Sequence, residues 1–316
     1  MAVAFTFPGQ GSQQVGMGAE IAAAYKTAKA VYDEVDDALG QNLSQIILEG
    51  PQDTLTLTEN AQPALMAVSV AAARVLQQDK GISLPDVAKF VAGHSLGEYS
   101  ALAVAGSLSL ADTARLLKLR GQSMQAAVPV GEGSMAALLG LDLPEAQKLA
   151  EAAAQGDVCQ AANDNAPGQV VLSGATAAIE RAIEMAPEYG ARRAVLLPVS
   201  APFHCAMMQP AADAMAGALS EVEIKSPAVP LVANVVAGAV SDPEVIRQRL
   251  VEQVTGAVRW RESVLFMAAE GVTTLYEIGA GRVLTGLARR IERSLDAVSV
   301  GTPEELDAAA EALGTA

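Results

Sequence analysis

Phe90-Val91-Ala92-Gly93-His94-Ser95-Leu96-Gly97-Glu98 runs from a short apolar segment through a serine flanked by two glycines into a helical pattern over residues 98–105. Strand, tight turn and helix in that order form the repeating unit of an α/β fold. Three more apolar runs, at residues 3–7, 231–236 and 273–278, are likewise followed by Gly, Asn or Ser and then a helix. A mainly parallel sheet is therefore predicted.

One region departs from this rhythm. Residues 134–141 read as a strand, 144–155 as a helix with Pro144 at its start, and 158–162 as a strand. The turn Asn163-Asp164-Asn165-Ala166-Pro167-Gly168 follows, then a strand at 169–173, a helix at 175–185 and a strand at 193–199. The order β-α-β-β-α-β is the split, ferredoxin-like pattern. A small subdomain over residues 126–199 is thus expected as an insertion into a large α/β-hydrolase-like subdomain made of residues 1–125 and 200–316. The Pro/Gly-rich stretches around Pro129-Val130-Gly131 and Leu197-Pro198-Val199 serve as the two crossings, and a cleft between subdomains is a natural substrate site.

Composition narrows the class. With 316 residues the chain can bury a sizeable core without staples, and its two cysteines, Cys159 and Cys205, are too isolated for a zinc site or a disulfide framework. No basic leader and no membrane-length apolar run is present, so a cytoplasmic location is expected. A formal charge of −15 opposes general affinity for nucleic acid or anionic membranes. No repeat or low-complexity tract is evident.

The Gly93-His94-Ser95-Leu96-Gly97 turn has the G-x-S-x-G form that exposes a serine hydroxyl at a helix N-terminus. A serine nucleophile needs a base, and the chain has only two histidines. His94 adjoins Ser95 on a sharp turn and is poorly placed to take its proton, which leaves His204 in Val199-Ser200-Ala201-Pro202-Phe203-His204-Cys205. Cys205 reads as a small buried filler.

On the helix predicted over residues 110–124, about 100° per residue places Arg120 among Leu110, Thr113, Leu116, Leu117 and Met124. A cation on the core-facing side needs an anion, either an internal carboxylate or a bidentate substrate carboxylate beside the nucleophile. Gly9-Gln10-Gly11 is equally readable as a plain turn or as an oxyanion donor. Gly279-Ala280-Gly281 lacks the dinucleotide fingerprint and reads as a tight turn.

Four segments, Phe7-Pro8-Gly9-Gln10-Gly11-Ser12-Gln13, Gly93-His94-Ser95-Leu96-Gly97-Glu98-Tyr99-Ser100, Leu119-Arg120-Gly121 and Pro198-Val199-Ser200-Ala201-Pro202-Phe203-His204, follow one another at characteristic spacings. With Asn163-Asp164-Asn165-Ala166-Pro167-Gly168-Gln169-Val170 and the segment from Tyr276 to Leu284, the sequence resembles the malonyl-CoA:acyl-carrier-protein transacylases from near its start to about residue 293.

The resemblance implies Ser95 as nucleophile, His204 as base and Arg120 as holder of the malonyl carboxylate. It also implies that the Gln10 and Leu96 N–H groups form the oxyanion hole and that the Gln253 carbonyl orients the histidine. Malonyl-CoA and acyl carrier protein are the implied partners, with no metal or redox cofactor required. Phe203 resembles the malonyl-selective members of the superfamily. Ala257 stands where the family usually has proline before the Val-x-Trp segment. The carrier protein of this family is acidic, and Arg192, Arg193, Arg289, Arg290 and Arg293 are the basic residues that the resemblance brings near the active-site mouth.

Overall fold

The computed structural model describes residues 2–314. Its strands are β1 (Ala2–Phe7), β2 (Ala88–Gly93), β3 (Gly133–Leu139), β4 (Cys159–Ala166), β5 (Gln169–Ala175), β6 (Arg193–Leu196), β7 (Leu231–Ala233), β8 (Gly238–Val240), β9 (Val272–Ile278) and β10 (Asp296–Val300). A six-stranded sheet has the order β10-β9-β1-β2-β7-β8, parallel except for β8. A separate four-stranded antiparallel sheet has the order β4-β5-β3-β6, with helices Leu143–Ala154 and Thr176–Met185 in its connections. This is the α/β class and the β-α-β-β-α-β order read from the sequence.

Strand alternation gives the small sheet two different faces. Ala136, Leu138, Val170 and Leu172 join a local core with Leu149 and Ile179 of its own helices. Met135 and Val171, one residue out of phase, face the main core together with Phe7, Leu96 and Phe203. The helix Thr58–Arg74 is buried on nearly all sides in that main core, and four of its buried residues, Thr58, Asn60, Gln62 and Ser69, are polar.

Three local expectations are corrected. Asn163–Ala166 is not turn: β4 runs through it with two register shifts, leaving Pro167-Gly168 as the bend. The reason is tertiary, because β4 pairs on its outer side with Val258. Val258 N–H donates to Ala162 O at 2.8 Å and Asp164 N–H donates to Val258 O at 3.0 Å. The apolar run at 231–236 ends as a strand at Ala233 and turns back into β8 through Ala237, which has φ 48°, before the next helix. The run at 193–199 is strand only as far as Leu196, with one further bond from Leu197 N–H to Met135 O at 2.8 Å, and from Leu197 the chain lines a cavity.

Candidate active site

Between β2 and the helix Gly97–Val104 only three residues make the turn, and Ser95 at its apex has φ 53°. A left-handed serine is strained and persists where its surroundings fix it. A Cβ on Gly93 would lie 1.9 Å from Gly97 C, and one on Gly97 would lie 2.2 Å from Phe7 O. The end of β1 and the turn therefore touch through backbone, and His94 N–H donates to Phe7 O at 3.0 Å. Asn234, just after β7, spans the turn: its Oδ1 accepts from Ser95 N–H at 2.8 Å and its Nδ2 donates to Gly93 O at 2.7 Å. Gly97→Ala is expected to cost about 1–3 kcal/mol by overpacking against the Phe7 carbonyl. The checks are a lower denaturation midpoint and an activity loss larger than that drop explains.

His204, itself at φ 59°, sits on the loop that returns from the small sheet. Ser95 Oγ–H donates to His204 Nε2 at 2.7 Å, and Nδ1–H donates to Gln253 O at 2.8 Å and Gly256 O at 3.1 Å. Two carbonyls fix the tautomer that leaves Nε2 as acceptor, and among the described residues no carboxylate does so. Burial, reinforced by the Arg120 cation, pushes the His204 pKa down to about 3. The imidazole is therefore neutral near pH 7 and able to accept a proton. Ala257 does not dislodge this segment. The helix Pro243–Thr255 ends as Gly256 N–H donates to Glu252 O at 2.8 Å, and Val258 is anchored on β4.

Arg120 lies on the helix Leu110–Ala126 and is 1% exposed, on the arc that the periodicity places against the core. Its Nη1 donates to Gln62 Oε1 at 2.7 Å, and its Nη2 donates to Gln253 Oε1 at 2.8 Å and to Ser95 Oγ at 3.2 Å. The Tyr99 ring centroid is 5.7 Å from Cζ. Of the two solutions open to a core-facing arginine, the internal ion pair is absent among the described residues: no carboxylate oxygen lies within 4 Å of the guanidinium. A buried cation so held costs several kcal/mol that neutral amides only partly offset.

Ser95, His204 and Arg120 open on one cavity of about 360 Å³. The large sheet supplies Gln10 and Leu96 to its wall, and the small-sheet side supplies Met135, Asn163, Leu197 and Val199. The N–H groups of Gln10 and Leu96 have no hydrogen-bond acceptor among the described residues. Thr58 Oγ1–H donates to Gln10 Oε1 at 3.0 Å and accepts from Gln62 Nε2 at 3.0 Å, so the Gln10 loop is tied to the residue that braces Arg120. His94 is turned away from Ser95, with Nε2 2.8 Å from Asn165 Oδ1 and its ring against Trp260. Cys205 is buried and its thiol donates to Pro202 O.

The five arginines are exposed, and the described residues place no carboxylate oxygen within 4 Å of any of them. Two of them flank the Pro167-Gly168 bend. Arg192 lies over Gly140, whose N–H donates to Gly168 O, while Arg290 donates to Gln169 Oε1 at 2.6 Å and Pro167 O at 3.5 Å. Arg193 begins β6, which leads into the cavity wall, and Arg289 is bonded back to Ala297 O at 3.1 Å. The sequence reading missed Gln62, Asn234, Glu98 and Gly256. A signal existed for the first, since a glutamine inside an apolar helical run needs a buried partner. For the others only the fold shows which donor they meet.

Fold and site together define an acyltransferase built around a serine turn. The model of the acyl transferase domain family matches residues 4–306. The malonyl CoA-acyl carrier protein transacylase of Escherichia coli (strain K12) is 47% identical over 308 residues, 98% of each chain. A crystal structure of acyl-carrier-protein-S-malonyltransferase from Bartonella henselae superposes with TM-score 0.97 at 59% identity, covering 99% of this chain and 100% of that one. A malonyl-transacylase solved in complex with a type II PKS acyl-carrier protein is 44% identical, with TM-score 0.95 over 99% of this chain and 100% of that one. The chain belongs to the malonyl CoA-acyl carrier protein transacylase family.

Proposed function

We propose that this chain moves a malonyl group from malonyl-CoA to the phosphopantetheine thiol of acyl carrier protein through a malonyl-Ser95 ester, supplying fatty acid synthesis in the cytoplasm. The observation that carries the reading is Arg120, a buried cation 3.2 Å from the Ser95 hydroxyl and without a carboxylate partner among the described residues. A carboxylate two bonds beyond a thioester carbonyl meets its guanidinium while the carbonyl carbon meets Oγ.

Neutral Nε2 of His204 takes the Ser95 proton as Oγ attacks the thioester carbon, and the Gln253 and Gly256 carbonyls stabilise the imidazolium. The Gln10 and Leu96 N–H groups stabilise the oxyanion. Coenzyme A departs with the proton from His204. The carrier thiol, deprotonated by the same histidine, then attacks the ester and restores the Ser95 hydroxyl. Each half-reaction exchanges one thioester and one ester, a balance that needs neither metal nor redox cofactor.

A serine hydrolase shares the G-x-S-x-G turn, and the buried arginine favours transfer of an anionic acyl group. The deciding assay follows malonyl from malonyl-CoA with and without carrier-protein thiol. Thiol-dependent thioester supports the transferase, whereas thiol-independent free malonate overturns it.

Docking of an acidic carrier protein falls to Arg192 and Arg290 beside the Pro167-Gly168 bend, together with Arg193 at the start of β6 and Arg289 next to Arg290, despite the net charge of −15. Rim charges act on association rate and are screened within about 8–10 Å at physiological salt. Charge reversal at Arg193 or Arg290 is expected to raise the KM for carrier protein, to leave the malonyl-CoA half-reaction much less affected, and to matter less at high salt. Equal losses in both half-reactions would assign these arginines to coenzyme A or to the fold.

A further inference from the structure

The proposed mechanism does not use Glu98, although its side chain is fully buried directly beneath the serine turn. One oxygen, Oε2, accepts from Gln253 Nε2 at 2.9 Å and from Asn234 N–H at 3.0 Å. The other, Oε1, has no partner among the described residues. Gln253 is a two-ended bridge, because its Nε2 faces Glu98 and Ser95 O while its Oε1 takes the Arg120 guanidinium. A buried carboxylate and a buried guanidinium thus lie at the two ends of one amide, without direct contact.

We propose that Glu98 is the counter-charge of Arg120, held to it through the Gln253 amide, and that it yields this part to the substrate's carboxylate, so that Glu98 sets how strongly an anionic acyl group is preferred. The inference rests on the reading of Arg120 as the carboxylate site.

Before substrate binds, hydrogen bonds from Gln253 and Asn234 and, beyond them, the Arg120 field support an ionised Glu98. Once a malonyl carboxylate neutralises Arg120, that support is withdrawn, a buried anion without compensation is costly, and Glu98 takes a proton from solvent. Burial already raises the Glu98 pKa to about 7, against the opposing pull of Gln253, Asn234 and Arg120. The neighbouring groups are shifted away from that range. Burial pushes Tyr99 to about 12 and His204 to about 3, and lowers His94 from its ordinary value. The sign follows from linkage: binding an anion raises the Glu98 pKa, binding takes up a proton, and preference for the anion falls as pH rises through about 7.

The test is the ratio of kcat/KM for malonyl-CoA to that for acetyl-CoA against pH, since the neutral acetyl group cancels ionisations common to both substrates. In the wild type the ratio is expected to fall by up to tenfold per pH unit above about 7, the limit for one linked proton. Glu98→Gln keeps an acceptor for Gln253 and Asn234 but carries no charge. Its ratio is expected to be flat and to stay at the wild type's low-pH level. A flat wild-type ratio, or the same slope in Glu98→Gln, overturns the inference. Arg120→Ala separates the two levels of the argument: malonyl preference unchanged there sinks the carboxylate-site reading itself. Preference lost in Arg120→Ala, with equal slopes in the wild type and Glu98→Gln, sinks only the role of Glu98.

Discussion

Ser95→Ala is expected to show no covalent malonyl adduct by intact mass after brief exposure to malonyl-CoA, under conditions in which the wild type gains one malonyl per chain. Ser95 is the serine that lines the cavity and the one whose hydroxyl is bonded to His204, whereas Ser100, the second serine of the motif region, is buried in the helix Gly97–Val104. Alanine at φ 53° carries much the same backbone strain as serine, so the folded state is kept and an unchanged melting midpoint is the control. His204→Ala is expected to slow both formation and transfer of the adduct by at least roughly 10², the usual loss with a general base. Because burial holds the His204 pKa well below the ordinary imidazole value, the base is neutral across the neutral range, and the deficit of the variant is expected to persist there. Malonyl label on Ser95→Ala at an unchanged rate would place the nucleophile elsewhere.

Arg120→Ala is expected to lower the malonyl-to-acetyl ratio of kcat/KM by about 10- to 100-fold, which corresponds to the roughly 1.5–3 kcal/mol of a charge-assisted hydrogen-bonded contact. The malonyl rate carries the fall, since an acetyl group presents no carboxylate to lose its partner. Some stability is also lost, because Gln62 Oε1 and Gln253 Oε1 give up buried donors at 2.7 and 2.8 Å. Arg120→Lys separates the effects: it keeps the charge but not the planar fork, and is expected to fall between wild type and alanine in preference. A ratio unchanged in both variants would make Arg120 a purely internal brace.

The parts of this molecule legible in the sequence are those governed by short-range chemistry. Period-two alternation in β3 and β5, the glycines at 93 and 97, and the helical phase of Arg120 are local patterns. Each has one physical solution: a two-faced strand, a turn in which only glycine fits against the Phe7 carbonyl, a cation pointed inward. Residues without a local signature were legible less reliably. The stretch from Asn163 to Ala166 has turn composition, yet it continues β4 because Val258 offers hydrogen bonds to its outer edge, and composition does not encode that partner.

The sequence by itself determined the α/β class, the inserted β-α-β-β-α-β unit and the chemical types at the site, because periodicity and turn chemistry act over a few residues. The resemblance implied the Gln253 carbonyl beside His204; tertiary structure alone added the Gly256 carbonyl and decided that Arg120 lies beside Ser95 without a carboxylate partner among the described residues. It alone joined Glu98, Gln253 and Asn234 beneath the turn. These groups lie 19 to 158 residues apart where they bond across the chain, and which buried donor meets which acceptor is fixed only when packed helices and strands bring the two within reach.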